Sequence, residues 1–288
     1  MHRQSHERTL ARLGTPPRRL RLRAVFLIVA ILSVLSTALA WEMIVCADPN
    51  AMPMSHRDQT GFENRIAEVL ADELRADLVY DWYPHVDMID VRLREGHCDL
   101  LLGVPDGHEP LLTTVAYYRS PYAFVYRADA PFEITSFDDE ALRGARIALQ
   151  AIGIPPHDSL VRRGLSSNIV ASFGTESYAT RADPRARVVE AVVSGEADVG
   201  IAWGPVAGYY GSRSDVPVIV RAVSPIFDPP FSSQVFAMTV GMRRGDAALR
   251  DQVSYAIANR WEEIQAILDE YGVVLESSQR PTAPRELP

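Results

Sequence analysis

The chain has 288 residues, 47% hydrophobic, 23% charged and 8% aromatic, an ordinary globular composition with room for one large core or two modest ones. Disordered, collagen-like and disulfide-dense miniature classes are excluded. The sequence contains no lysine, so all 29 basic side chains are arginine, and a pyridoxal Schiff base or a Walker-type phosphate loop is excluded with it. A net charge of -8 argues against a nucleic-acid binder, because phosphate binding is driven by a basic surface.

Residues 1–23 carry seven arginines against Glu7, and residues 24–40 are an uncharged apolar run. This is a basic region followed by a hydrophobic one, with small residues at Ala38 and Ala40, and it reads as a signal peptide over residues 1–40 that is cleaved after Ala40. The 248-residue mature protein is then expected in the periplasm. The alternative is an uncleaved anchor, since 17 residues stand at the short edge of a bilayer span. No cysteine follows the run, so lipoprotein processing is not indicated. Without the leader, 22 arginines face 36 acidic side chains, a balance of -14 that suits basic partners or serves solubility alone. Cys46 and Cys98 would meet an oxidising compartment, either as a disulfide or as two buried thiols.

In chain order the pattern alternates strand and helix. Residues 42–47 read as a strand running into Asp48-Pro49-Asn50, and Thr60-Gly61-Phe62-Glu63 reads as a capping box. It opens a helix with Phe62, Ile66, Val69, Leu70 and Leu74 on one face. Strands over 78–83 and 99–104 enclose a helix carrying Val86, Ile89 and Leu93 that ends at Gly96. Residues 118–127 form an extended aromatic stretch, Ser136 caps a short turn, and a strand over 146–150 leads to Pro155-Pro156 at a helix start. Asp183-Pro184 caps a helix closed by Gly195, followed by a buried strand over 197–203. A strand pair near 218–223 and 234–243 precedes residues 246–271, which form one bent helix or two. The alternation predicts an α/β protein with parallel sheets and ligands at the carboxyl ends of the strands.

Nucleophile and metal signatures are absent: there is no G-x-S-x-G, H-E-x-x-H, C-x-x-C or G-x-G-x-x-G string. His97-Cys98-Asp99 lacks a spaced second pair, so no metal is expected. Aromatic and turn residues instead gather at the carboxyl ends of the predicted strands. Asp48 and Asn50, Trp82 and Tyr83, Gly103 and Pro105, and Trp203 and Gly204 lie there, and Tyr118, Arg119 and Ser120 lie near a lobe crossover. These eleven residues are the candidate ligand-binding set, with Trp82, Tyr118 and Trp203 as apolar walls and Asp48, Asn50 and Arg119 as polar anchors. For Trp82 and Trp203, a place in the cores of their lobes is an equal alternative.

The organisation resembles a type II periplasmic solute-binding protein of solute-binding family 3. Several strings are more specifically similar to its quinoprotein-dehydrogenase-associated branch of MxaJ/XoxJ type, found beside PQQ-dependent methanol and alcohol dehydrogenases. They are Val45-Cys46-Ala47-Asp48-Pro49-Asn50, Gly61-Phe62-Glu63-Asn64, Cys98-Asp99-Leu100-Leu101-Leu102-Gly103-Val104-Pro105, Tyr117-Tyr118-Arg119-Ser120, Ala202-Trp203-Gly204-Pro205-Val206-Ala207-Gly208-Tyr209 and Gly241-Met242-Arg243-Arg244-Gly245-Asp246. Amino-acid binders of that fold hold the ligand with an arginine after the third strand and an acid in the second lobe. Pro110 and Trp203-Gly204 stand at those places here, so an amino-acid ligand is not expected. The segment after Pro84, basic and aromatic in the closer branch, reads His85-Val86-Asp87-Met88-Ile89-Asp90, a departure at that loop.

The resemblance implies a bilobal type II periplasmic-binding-protein fold, two open parallel-sheet lobes joined by a two-strand hinge. Lobe 1 is assigned residues 41–125 plus 233–275, lobe 2 residues 126–232, and residues 276–288 a disordered tail. It also implies a monomeric, non-enzymatic, cofactor-free accessory protein. That protein would aid assembly or activation of a PQQ-dependent alcohol dehydrogenase, by docking on it or on its cytochrome c or by holding a small ligand between the lobes. The alternative is a receptor that delivers a small solute other than an amino acid to an ABC permease. A cleft enzyme of this fold has only fold-level analogy behind it.

Overall fold

The computed structural model describes residues 41–84, 86–173, 185–230, 232–277 and 279–282. The leader at 1–40, His85, Asp183-Pro184 and residues 283–288 lie outside them.

The chain opens with β1 (Glu42–Ala47), and a hairpin of β2 (Asn50–Ala51) and β3 (Ser55–His56) leads into α1 (Phe62–Leu74). Next come β4 (Asp77–Trp82), α2 (Val86–Glu95), β5 (Leu100–Pro105), β6 (Leu112–Thr113) and the long β7 (Tyr118–Arg127). The following stretch holds α3 (Ala141–Gly144), β8 (Ile147–Leu149), α4 (Pro155–Arg162), β9 (Ile169–Ser172), α5 (Arg187–Ser194), β10 (Val199–Trp203), α6 (Gly204–Ser212) and β11 (Val218–Ala222). A hairpin of β12 (Phe227–Asp228) and β13 (Ser232–Ser233) returns the chain to β14 (Val235–Met242), and α7 (Ala247–Asn259) and α8 (Trp261–Glu270) follow. Among the described residues no helix is long and apolar enough to cross a membrane.

The strands run in the order β4-β1-β5-β14-β7-β10-β8-β9. β1 lies parallel between β4 and β5, and β8 lies parallel between β10 and β9, as helical crossovers require. The lobes are nevertheless mixed rather than purely parallel: β14 is antiparallel to β5 and β7, and β7 is antiparallel to β10 and β11. The reason is the double crossing. The strands that carry the chain between the sheets join each one against the direction of its β-α-β strands.

β7 changes partners in mid-strand. Pro121 stands opposite Val235 of β14, and the next residue, Tyr122, stands opposite Trp203 of β10. Residues 122–125, assigned to lobe 1 from sequence, thus pair within the second sheet. The return crossing runs beside it, where the Tyr122 N–H donates to the Gln234 carbonyl at 2.9 Å.

Side-chain alternation along β7 builds the second core on both faces of its sheet. Phe124 and Tyr126 join Phe137, Ile147 and Ile201 on one side, while Ala123 and Val125 meet Val188, Val192 and Val206 on the other. The first core gathers Phe62, Ile66 and Leu70 of α1 with Leu100, Val240 and Trp261.

Four sequence readings are refined. The cap of α1 is Gly61, not Thr60: Oδ1 of Asn64 accepts the Gly61 N–H at 3.1 Å, and the Thr60 hydroxyl bonds Asp58 instead. Glu63 is thereby released from capping. The C-terminal helical region is two helices, broken at Arg260. Cys46 and Cys98, both 1% exposed with Cα atoms 5.5 Å apart, form a disulfide. In the tail assigned from 276, the Glu276 N–H donates to the Arg119 carbonyl and its carboxylate accepts from Arg119 Nε at 3.1 Å, while Arg280 donates to the Ala258 carbonyl at 2.8 Å.

Candidate binding cleft

The carboxyl ends of β1 and β5 and the amino end of α1 open into a cavity of about 550 Å³, which Arg185 and Trp203 reach from the side of the second sheet. That is within the usual size range for small-ligand sites. Five candidate residues line it: Asp48, Gly103, Pro105, Tyr118 and Trp203. Asp48, Gly103, Pro105 and Trp203 arrive there because β1, β5 and β10 end at this rim, and Tyr118 because β7 begins there.

The other six are placed elsewhere. Trp82 stacks on Tyr80 with ring centroids 4.5 Å apart, and it is Tyr80 that reaches the cleft. Tyr83 lies under the Arg92 guanidinium, 4.8 Å from its ring centroid. Asn50 contributes a carbonyl that accepts from Arg185 Nη1 at 3.3 Å, but its side chain is not in the lining. Arg119 points away to Glu276, one step out of phase with Tyr118 on β7. Ser120 is fully buried and donates to the Val274 carbonyl, and Gly204 packs so closely that a Cβ would lie 2.3 Å from the Ser120 hydroxyl oxygen. These two pack against the C-terminal segment.

Trp203 packs against the cores and also lies on the cavity wall. Its N–H donates to Gln150 Oε1 at 2.8 Å, its ring stands 5.2 Å from Tyr122 and 5.8 Å from Phe236, and the same residue lines the cavity.

Three charged residues of the lining, Glu63, Asp90 and Arg185, escaped the sequence reading. Arg185 stands 4.0 Å from Oδ2 of Asp48, with only 11% and 4% of the two side chains exposed. Oδ1 of Asp48 accepts the Asn50 N–H at 2.8 Å. Glu63, in the first turn of α1, accepts the Tyr117 hydroxyl on Oε1 at 3.0 Å, and that hydroxyl in turn accepts the Gly103 N–H at 2.9 Å. Burial pushes the Glu63 carboxyl up to about 7, against the opposing pull of the Tyr117 hydrogen bond and the Arg185 charge. Gly103 has φ +73°, which favours glycine, and a Cβ there would lie 2.6 Å from Glu63 Oε1, so a larger residue would displace that carboxylate. Burial also raises the Tyr80 hydroxyl to about 12 and drives Tyr117 and Tyr118 well above the usual range. All three are neutral hydrogen-bonding groups at physiological pH.

A signal for Glu63 was present in its position, the first helical turn after a strand whose end lines the rim. Arg185 carried none, because it follows a segment with no periodicity. Among the described residues no cluster of three or more histidine, cysteine or acidic side chains could hold a metal ion. In the His97-Cys98-Asp99 string Cys98 is consumed by the disulfide, and Asp99 accepts from the Ile44 N–H and from Arg243.

No family model matches the chain. It is 31% identical to the protein MoxJ of Paracoccus denitrificans over 259 residues, covering 85% of this chain and 94% of that one. It is 30% identical to the protein MoxJ of Methylorubrum extorquens over 249 residues, covering 81% of each. Among solved structures, MxaJ from Methlophaga aminisulfidivorans superposes with a TM-score of 0.74 at 27% identity, covering 81% of this chain and 100% of that one. The periplasmic binding protein XoxJ from Methylobacterium extorquens superposes with a TM-score of 0.66 at 29% identity, covering 82% and 100%. With those alignments running through both sheets and the cleft between them, the chain belongs to the MoxJ family and has the type II periplasmic-binding-protein fold.

Proposed function

We propose that this protein is a non-catalytic periplasmic accessory of a PQQ-dependent, methanol-type alcohol dehydrogenase, aiding its assembly or activation by docking on it or its cytochrome c or by holding a small ligand in the cleft. The observation that carries the reading is kinship to MoxJ proteins at 30% and 31% identity over more than four fifths of the chain. In this reading the leader is removed after Ala40, and the two sheets, between which the chain passes at Pro121-Tyr122 and again near Gln234, move against each other as two lobes.

Isothermal titration of the purified protein into the host dehydrogenase, in apo and cofactor-loaded forms, tests the proposal. Saturable heat with either form supports it, and heat with one form alone identifies the state recognised. Absence of heat with both, at concentrations well above micromolar, overturns it. A second reading, a receptor delivering a solute to an ABC permease, is favoured by the cavity of about 550 Å³ itself. Its mark is lobe closure around a diffusible solute bound at micromolar affinity or tighter.

A further inference from the structure

The charged groups of the cleft do not balance. Asp48 faces Arg185 at 4.0 Å, and Asp90 of α2 faces Arg94 at 3.5 Å. Those two carboxylates each have a guanidinium. Glu63, the third acid in the lining, has its hydrogen bond from the neutral hydroxyl of Tyr117. Around it the walls are soft and aromatic: Tyr80, Tyr118 and Trp203, with the thioethers of Met54 and Met238. A carboxylate beside aromatic rings in a largely apolar cleft is complementary to a positive charge on an apolar body. An anion would instead bring a second negative charge to Glu63, and an uncharged solute would leave its carboxyl to keep its proton rather than pair an ionised form.

We propose that the cleft takes a small organic cation, an alkylammonium ion whose nitrogen sits at Glu63 and whose alkyl body lies against Trp203 and Tyr80. This deepens the ligand-holding arm of the proposed function and rests on it. The ligand has no carboxylate, because the one guanidinium among the described residues of the lining is held by Asp48 and by the Asn50 carbonyl. Binding is coupled to protons: the cation favours ionised Glu63, whose neighbours are Tyr117 on the stretch entering β7, Tyr80 of β4, Tyr118 of β7 and Arg185 ahead of α5. The only positive charge among these belongs to Arg185.

The test is calorimetric titration of the purified protein with n-butylammonium chloride, n-butanol and sodium butyrate at pH 8 and pH 5.5. The expected result is saturable binding of the ammonium alone, at least tenfold weaker at pH 5.5. Glu63→Gln should weaken it at least tenfold at pH 8. Tyr117→Phe removes a bond to the ionised carboxylate and should shift the pH midpoint upward while keeping binding at high pH, a readout that survives if the glutamine variant fails to fold. Butyrate or butanol binding as well as the ammonium, no ammonium binding at pH 8, or Glu63→Gln and Tyr117→Phe both without effect would overturn the proposal. If the dehydrogenase still binds while the ammonium does not, only this inference fails. If the ammonium binds and the dehydrogenase does not, the accessory reading fails and the receptor reading gains.

Discussion

The Arg185 guanidinium meets the Asp48 carboxylate across the cleft, 4.0 Å apart, and its Nη1 also holds the Asn50 carbonyl at 3.3 Å. Both contacts join the segment that enters α5, on the second sheet, to the loop that leaves β1 on the first. With 4% of the Asp48 side chain exposed, removing the arginine leaves a buried carboxylate without this cation. Arg185→Ala should therefore destabilise the protein by about 3 kcal/mol. Adding Asp48→Asn should return part of that loss. Urea unfolding of both variants decides it, and an Arg185→Ala midpoint equal to that of the parent protein would show that the pair contributes nothing.

Glu63 makes stability fall as pH rises. Its carboxyl is pushed from 4.5 up to about 7, so the folded protein holds the proton more tightly than the unfolded chain does. The sign follows: between those two values the folded state binds more protons, and stability present below pH 4.5 is lost by pH 7, by about 3 kcal/mol. Glu63→Gln should remove this slope, leaving the variant close to the parent protein at pH 4.5 and more stable above pH 7. Thermal unfolding across that range is the measurement. Parallel curves for the two proteins would contradict the assignment.

The alternation of apolar strands with one-sided helices made the sheets legible, because burial on two faces needs runs such as residues 99–104 and 197–203. The cleft was half legible for the same reason: Asp48, Gly103, Pro105 and Trp203 end strands, and strand ends meet at one rim. The candidates that fall outside the lining are each held by a local partner. Trp82 and Tyr83 were placed by the end of β4, but Trp82 is spent on Tyr80 and Tyr83 on Arg92. Which face Arg119 takes depends on the register of β7 against β14, and its bond to Glu276 depends on a tail with no pattern of its own. Glu63 looked like half of a capping box until Asn64 took that role.

The disulfide closes a long loop. Cys46 and Cys98 are 52 residues apart in sequence, and in the chain-entropy account a bridge over such a loop stabilises by about 4 kcal/mol. The Cys46→Ser, Cys98→Ser double variant should lose stability on that scale, a fall in Tm of roughly 8–16 °C for a protein of this size. The same fall should follow reduction of the parent protein by dithiothreitol. A Tm insensitive to reductant, with mass spectrometry confirming free thiols, would count against the entropic estimate.

The backbones of α6 and of the turn after α8 approach closely at Gly208. A Cβ on Gly208 would lie 1.8 Å from the Gly272 carbonyl oxygen and 3.0 Å from its carbon. These are backbone atoms, which do not swing aside as the end of a flexible side chain does. α6 leaves the second sheet and α8 covers the first, so an added methyl must force these elements apart. Gly208→Ala should cost about 1–3 kcal/mol despite the better helix propensity of alanine. Gly144→Ala is the matched control: it also lies in a helix, in α3, and its Cβ would meet nothing within 4 Å. Urea midpoints should fall for Gly208→Ala and hold or rise for Gly144→Ala. Equal midpoints would mean that the two helices tolerate separation, and that the contact between them is not what fixes their approach.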